Sequence, residues 1–131
     1  DSMQPAQPPG NIFGKEPAHG WCYYFEKAEL AAQLGEWEKI VSFAEQAFSF
    51  KKTFDRETAS ELTPFIRAFA HTDRWEKAYG LSAQAFQASD KMQNMLCATW
   101  ADLLTTTTDS PARQEAAGKV STLLGCKITK E

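Results

Sequence analysis

The stretch GEWEKIVSFAEQAF, residues 35–48, returns downstream as DRWEKAYGLSAQAF, residues 73–86. Trp37 and Trp75 stand 38 residues apart, each heading a Trp-Glu-Lys triplet, and the match continues through Gln46/Gln84, Ala47/Ala85 and Phe48/Phe86. Within the first copy Trp37, Ile40, Val41, Ala44, Ala47 and Phe48 recur at helical spacing. Within the second, Trp75, Ala78, Tyr79, Ser82, Ala85 and Phe86 do the same. Each copy therefore predicts one amphipathic helix. A helix that is apolar on one stripe must bury it, and a repeated stripe implies that the same packing problem recurs along the chain.

Working outward from the repeat, each copy is preceded by another helix. Residues 21–34 place Trp21, Tyr24, Ala28 and Ala31 on one stripe, and Gly35 supplies a stop. A third helix is expected after Asp55, with Leu62, Phe65, Ile66 and Phe69 on one face. Pro64 inside that span requires either a kink or a later start. Asp73 with Glu76 three residues on resembles a capping box at the head of the fourth helix. A fifth helix is expected over residues 91–104, with Met92, Met95, Leu96, Trp100 and Leu103 facing in. The threonine run 105–108 ends it, since adjacent β-branched residues are poor helix formers. Ser110 then caps a sixth helix that has Pro111 in its first position and Gly125 just past its end. The expected fold is all-α: three stacked antiparallel helical hairpins over residues 21–127, after a Pro-rich linker, residues 1–20, that carries Pro5, Pro8, Pro9 and Pro17.

Composition excludes several classes. With 43% hydrophobic and 24% charged residues the chain has globular rather than disordered composition. A net charge of −3 argues against a nucleic-acid partner. No apolar run is long enough to span a membrane, and the first residues lack the pattern of a signal peptide. The start at Asp1, in place of Met, together with the Pro-rich lead suggests a piece of a longer protein. Cys22, Cys97 and Cys126 are too scattered to suggest a disulfide framework or a zinc site, and all three are expected to be free thiols. A Cys22–Cys97 bridge in particular would have to cross two helix spacings. His19 and His71 have no ligand-spaced companions, so no metal or other cofactor is expected. There is no Gly-rich phosphate loop and no nucleophile elbow, and no catalytic residue is assigned.

The repeat resembles the tetratricopeptide family, whose units combine a small residue in the first helix, a Gly-x-aromatic turn, and alanines with aromatics in the second helix. Ala28, Gly35, Trp37, Ala44 and Ala47 fit that pattern in the first unit, as do Trp75, Ala78 and Ala85 in the second. Asp73 stands where the turn glycine would be and Ile66 at the small position, and the spacing of 38 exceeds the family's usual repeat of about 34 residues. The third pair, from Lys91, matches only as a helical hairpin. A second resemblance, carried by EPAHGWCYYFEKAELAAQLGEWEKI at residues 16–40, is to the soluble C-terminal region of certain bacterial membrane proteins. Those proteins are similar to dolichyl-phosphate-mannose protein mannosyltransferases. This resemblance implies an extracytoplasmic domain joined to a membrane only through a segment lying elsewhere, with any glycosyltransferase catalytic acids also elsewhere.

The expected function is a non-catalytic protein-interaction or scaffolding module whose partner is a protein or peptide. The alternative is a free-standing cytoplasmic adaptor of the tetratricopeptide kind. In stacked hairpins the first helices line the concave side. Residues off their core stripes then form a candidate partner groove: Phe25, Glu29 and Gln33 on the first helix, Thr63, Arg67 and His71 on the third. Arg67 would offer a carboxylate-binding fork and Phe25 an apolar anchor, unless Arg67 instead pairs with Glu29. Trp37, Trp75, Ala47, Ala85, Phe48 and Phe86 are expected to be structural. Tyr23 and Phe25 make the first helix apolar on a second side, to be covered either by residues 11–17, with Phe13 packing there, or by a partner.

Overall fold

The computed structural model describes residues 20–128. Six α-helices follow one another: α1 (Trp21–Gln33), α2 (Trp37–Phe50), α3 (Thr63–His71), α4 (Trp75–Ala88), α5 (Gln93–Thr106) and α6 (Pro111–Leu124). Short 3-10 turns at Ala59–Leu62 and Asp90–Met92 lead into α3 and α5. No strand occurs among the described residues, and the fold is all-α. The expected linker falls outside the described residues except for Gly20, so the covering of Tyr23 and Phe25 by residues 11–17 lies outside them too.

The repeated sequence produces a repeated turn. After α1, Gly35 adopts φ 71° while the Glu36 amide donates to the Ala31 carbonyl at 2.9 Å and the Gly35 amide to Ala32 at 3.1 Å. After α3 the same bonds reappear, Arg74 to Phe69 at 2.7 Å and Asp73 to Ala70 at 3.1 Å. Both are Schellman closures, which need a left-handed residue to satisfy the last helical carbonyls. Asp73 takes that conformation at φ 66° although it carries a side chain. Its carboxylate does not cap α4, as the capping-box reading required; it accepts the Trp75 indole N–H at 2.9 Å instead.

The third helix begins later than Asp55, and Pro64 is the reason. Proline fits the first turn of a helix but not its interior, so α3 starts at Thr63 with Pro64 in its first turn. Asp55 instead closes an isolated turn, accepting the Glu57 and Thr58 amides at 3.0 Å each. That set of hydrogen bonds, with the Thr58 hydroxyl foremost, lowers the Asp55 pKa. At the other end of the chain Ser110 accepts the Arg113 amide at 3.1 Å, and Gly125 ends α6 at φ 70°.

Helix α3 is the axis of the packing. Six of its nine residues are buried, and α1, α2, α4 and α5 all touch it. Phe65 and Ile66 are fully enclosed, each such side chain contributing about 1.5–3 kcal/mol of burial. Helix α1 packs on α2 and α3 on α4, with Ala28, Ala47, Ala78 and Ala85 letting the backbones approach. The last helix lies mainly against α4, through Ala116, Ala117 and Val120, and less against its sequence neighbour α5. Ile128 is also buried, one residue past the expected end of the domain.

Two further corrections concern α5 and the cysteines. Met95 is exposed rather than part of the core: it lies at the edge of the α3 contact, whereas Met92, Leu96, Trp100 and Leu103 are buried as expected. Cys97 and Cys126 form a disulfide with Cα atoms 6.4 Å apart, and only Cys22 is a free thiol. The physical reason is the antiparallel return of α6, which brings Cys126, two residues past its end, to the level of the second turn of α5.

Candidate functional site

The candidate surface centres on the one line of α3 that is not sealed. Thr63, Arg67 and His71 recur every four residues, so they share one face, and all three are half-buried. Helices α1 and α5 flank α3 on either side. From α5 the Asp102 carboxylate accepts a hydrogen bond from Arg67 Nη1 at 2.9 Å, and the Met95 sulfur lies 3.7 Å from the Thr63 hydroxyl. Arg67 therefore pairs across α3 and α5, not with Glu29.

At the C-terminal end of the line, His71 lies flat on the Trp37 indole, with ring centroids 4.4 Å apart and planes 2° from parallel. Burial lowers the His71 pKa below its ordinary value, the neighbouring Arg67 charge lowers it further, and Asp102 opposes both. The first two effects favour the neutral ring. Beyond it a polar recess of about 390 Å³ opens between Asp73 and the threonines at residues 106–108.

The α1 residues stand apart from this cluster. Phe25 is half-buried and stacks on Trp21 with centroids 6.3 Å apart. Trp21 in turn donates its indole N–H to Glu61 at 2.7 Å and packs on Phe48, Phe54 and Phe65. Glu29 and Gln33 are exposed, and neither side chain is hydrogen-bonded or ion-paired to another described residue. Of the six groove residues, the structure joins Thr63, Arg67 and His71 through α5 and α2, and leaves Phe25, Glu29 and Gln33 as a separate strip.

Of the residues expected to be structural, Ala47, Ala85 and Trp75 are buried, whereas Trp37, Phe48 and Phe86 are partly covered. Sequence reasoning missed Asp102 and Met95 as members of the cluster. For Asp102 the available signal was a charge off the apolar stripe of α5, while Met95 falls on the stripe expected to face the core; nothing in one sequence says which neighbouring helix either faces. Arg113 was missed as well. Its guanidinium is buried and donates from Nη1 to the Leu104 carbonyl at 3.0 Å and the Thr107 carbonyl at 2.7 Å, tying the end of α5 to α6.

Among the described residues no three His, Cys, Asp or Glu side chains converge as a metal site would need, and no helix is long and apolar enough to cross a membrane. No family model, curated protein or solved structure matches this chain.

Proposed function

We propose that this chain is a non-catalytic protein-interaction module that presents the α1–α3–α5 side to a protein or peptide partner. The observation that carries this reading is the preorganised Arg67. Its guanidinium is fixed by Asp102 at 2.9 Å, yet its side chain remains 30% exposed. A guanidinium has five donors in a rigid fork, so those not used by Asp102 can still take a carboxylate or backbone carbonyl from outside. Exposed Met95 beside it supplies adaptable apolar contact, and half-buried Phe25 on the separate α1 strip offers an apolar surface on the same side.

The module belongs, in this proposal, to a tetratricopeptide-like array attached to a bacterial membrane glycosyltransferase-like protein on its extracytoplasmic side. The Cys97–Cys126 bridge supports the extracytoplasmic setting, because disulfides persist in oxidising compartments and are rare in the cytosol. The cytoplasmic-adaptor alternative has no comparable support.

Arg67→Ala tests the reading. The ion pair it removes is half-exposed and worth at most about 1 kcal/mol, so the melting temperature should hardly move. Capture of a partner, measured by affinity purification from the extracytoplasmic fraction, should fall by about tenfold or more, as for loss of a charged anchor. Undiminished capture would rule this face out.

A further inference from the structure

On the other side of α3 the layer of second helices is incomplete. Helix α6 is packed on α4, but α2 and α4 both lean on α3 while scarcely touching each other. The seam between them is a groove of about 730 Å³. Its floor is apolar: Val41, Ala44 and Phe48 from α2, Leu81 from α4, and Phe69 from α3 between them. Phe69 lies about 200° round α3 from Arg67, so this surface is distinct from the α1–α3–α5 side.

Three features make the groove more than a gap. Its rim carries Lys52, Arg74 and Lys77 against a single carboxylate, Glu45, a local positive excess on a chain of net charge −3. Their commitments are weak: Arg74 donates to the Thr72 carbonyl at 3.3 Å and is 3.8 Å from exposed Glu38, and the Lys77 ammonium sits 5.7 Å over the Phe69 ring. Gly80, in the interior of α4, lines the same groove. Glycine is a much poorer helix former than alanine there, yet a Cβ built on it would meet no atom within 4 Å. No neighbour within the fold requires its absence, and what the missing side chain leaves open is the groove.

We propose that the α2–α4 groove is a second docking site, for an acidic amphipathic helix of a partner protein. From Val41 to Ser49 the groove runs along roughly 12 Å of α2, a little over two turns, with Lys52 just past the helix end; this matches the i to i+7 anchors of a helix laid in a groove. The incoming apolar residues complete the layer over Phe48, Phe69 and Leu81, and its carboxylates meet Lys52, Arg74 and Lys77. Charge complementarity of this kind sets selectivity and on-rate.

The test uses the oxidised protein and a fluorescein-labelled synthetic helical peptide of about fourteen residues, roughly 20 Å long. It carries leucines along one face and glutamates beside them; a control peptide carries lysines in place of the glutamates. Fluorescence polarisation should show saturable binding of the glutamate peptide, at least about tenfold tighter than the lysine peptide and weakened by salt. Gly80→Leu, which fills the groove, should abolish this binding with the melting temperature held or raised. Lys77→Glu should weaken it by about tenfold even if Gly80→Leu fails to fold. Arg67→Ala should leave it unchanged, which separates this site from the α1–α3–α5 side. Equal binding of both peptides, no binding of either, insensitivity to Gly80→Leu and Lys77→Glu, or a dimer in sedimentation that Gly80→Leu disperses would each overturn the proposal.

Discussion

Trp37 and Trp75 hold the same place in the two copies of the repeat, but their surroundings differ. Trp75 is only 3% exposed: the Trp100 ring lies 5.7 Å from it, and its indole N–H is satisfied by Asp73. Trp100 is itself sealed, and its indole N–H donates to the buried Ser82 hydroxyl at 2.9 Å. Trp37 packs at the edge of the core with the flat face of His71 over it and stays half-buried. Trp75→Ala should therefore cost about 3–5 kcal/mol, the range for truncating a buried aromatic, as measured by urea unfolding. A loss below about 1 kcal/mol is surface behaviour and would contradict this packing. The repeat was enough to single out both tryptophans, but not to rank them. Their difference comes from Trp100, which belongs to the one hairpin that lacks the repeated sequence.

At the scale of elements, the third hairpin is held by devices that helical periodicity does not show. Arg113 reaches from α6 to the last carbonyls of α5, and Cys97 is bonded to Cys126 across 29 residues of chain. A loop of that length corresponds to about 3–4 kcal/mol of restricted unfolded-chain entropy. Cys97→Ser should lower unfolding stability by about that amount, and thiol titration of the denatured, unreduced wild type should find one free cysteine, Cys22. Three free thiols would refute the bridge. The pairing was legible in principle, since an antiparallel hairpin returns residue 126 towards residue 97. Spacing alone does not say how closely, and a disulfide needs Cα atoms within about 7 Å.

For the whole molecule, the junction of α2, α3 and α5 couples folding to pH through His71. Its folded pKa is lowered, by burial first and then by Arg67. A group with a depressed histidine pKa binds fewer protons folded than unfolded, so stability rises with pH between the two values. The contribution is intact above the unfolded value, near 6.5, and is lost as pH falls from there towards the lowered folded value. Urea midpoints of the wild type should therefore drop between about pH 7.5 and pH 5.5 by more than those of His71→Gln. Identical slopes for the two proteins would show that His71 is not the titrating group.

What the sequence by itself determined was the helical class, the six helices, and the ends of α1 and α6. These follow from local rules: 3.6-residue periodicity, proline at a helix start, a left-handed residue at a helix end. Helix α5 runs to Thr106, two residues into the threonine run expected to stop it. The match between Gly35 and Asp73 was visible as a substitution in the repeat, and the shared turn gives it a cause. Tertiary structure alone decided that α3 is buried on nearly every side, that Arg67 faces Asp102 and not Glu29, and that α6 closes on α4 while α2 and α4 stay apart. Each of these depends on the distance between side chains tens of residues apart, which is set by how whole helices settle against one another. Periodicity tells which stripe of a helix must be covered; only packing settles what covers it.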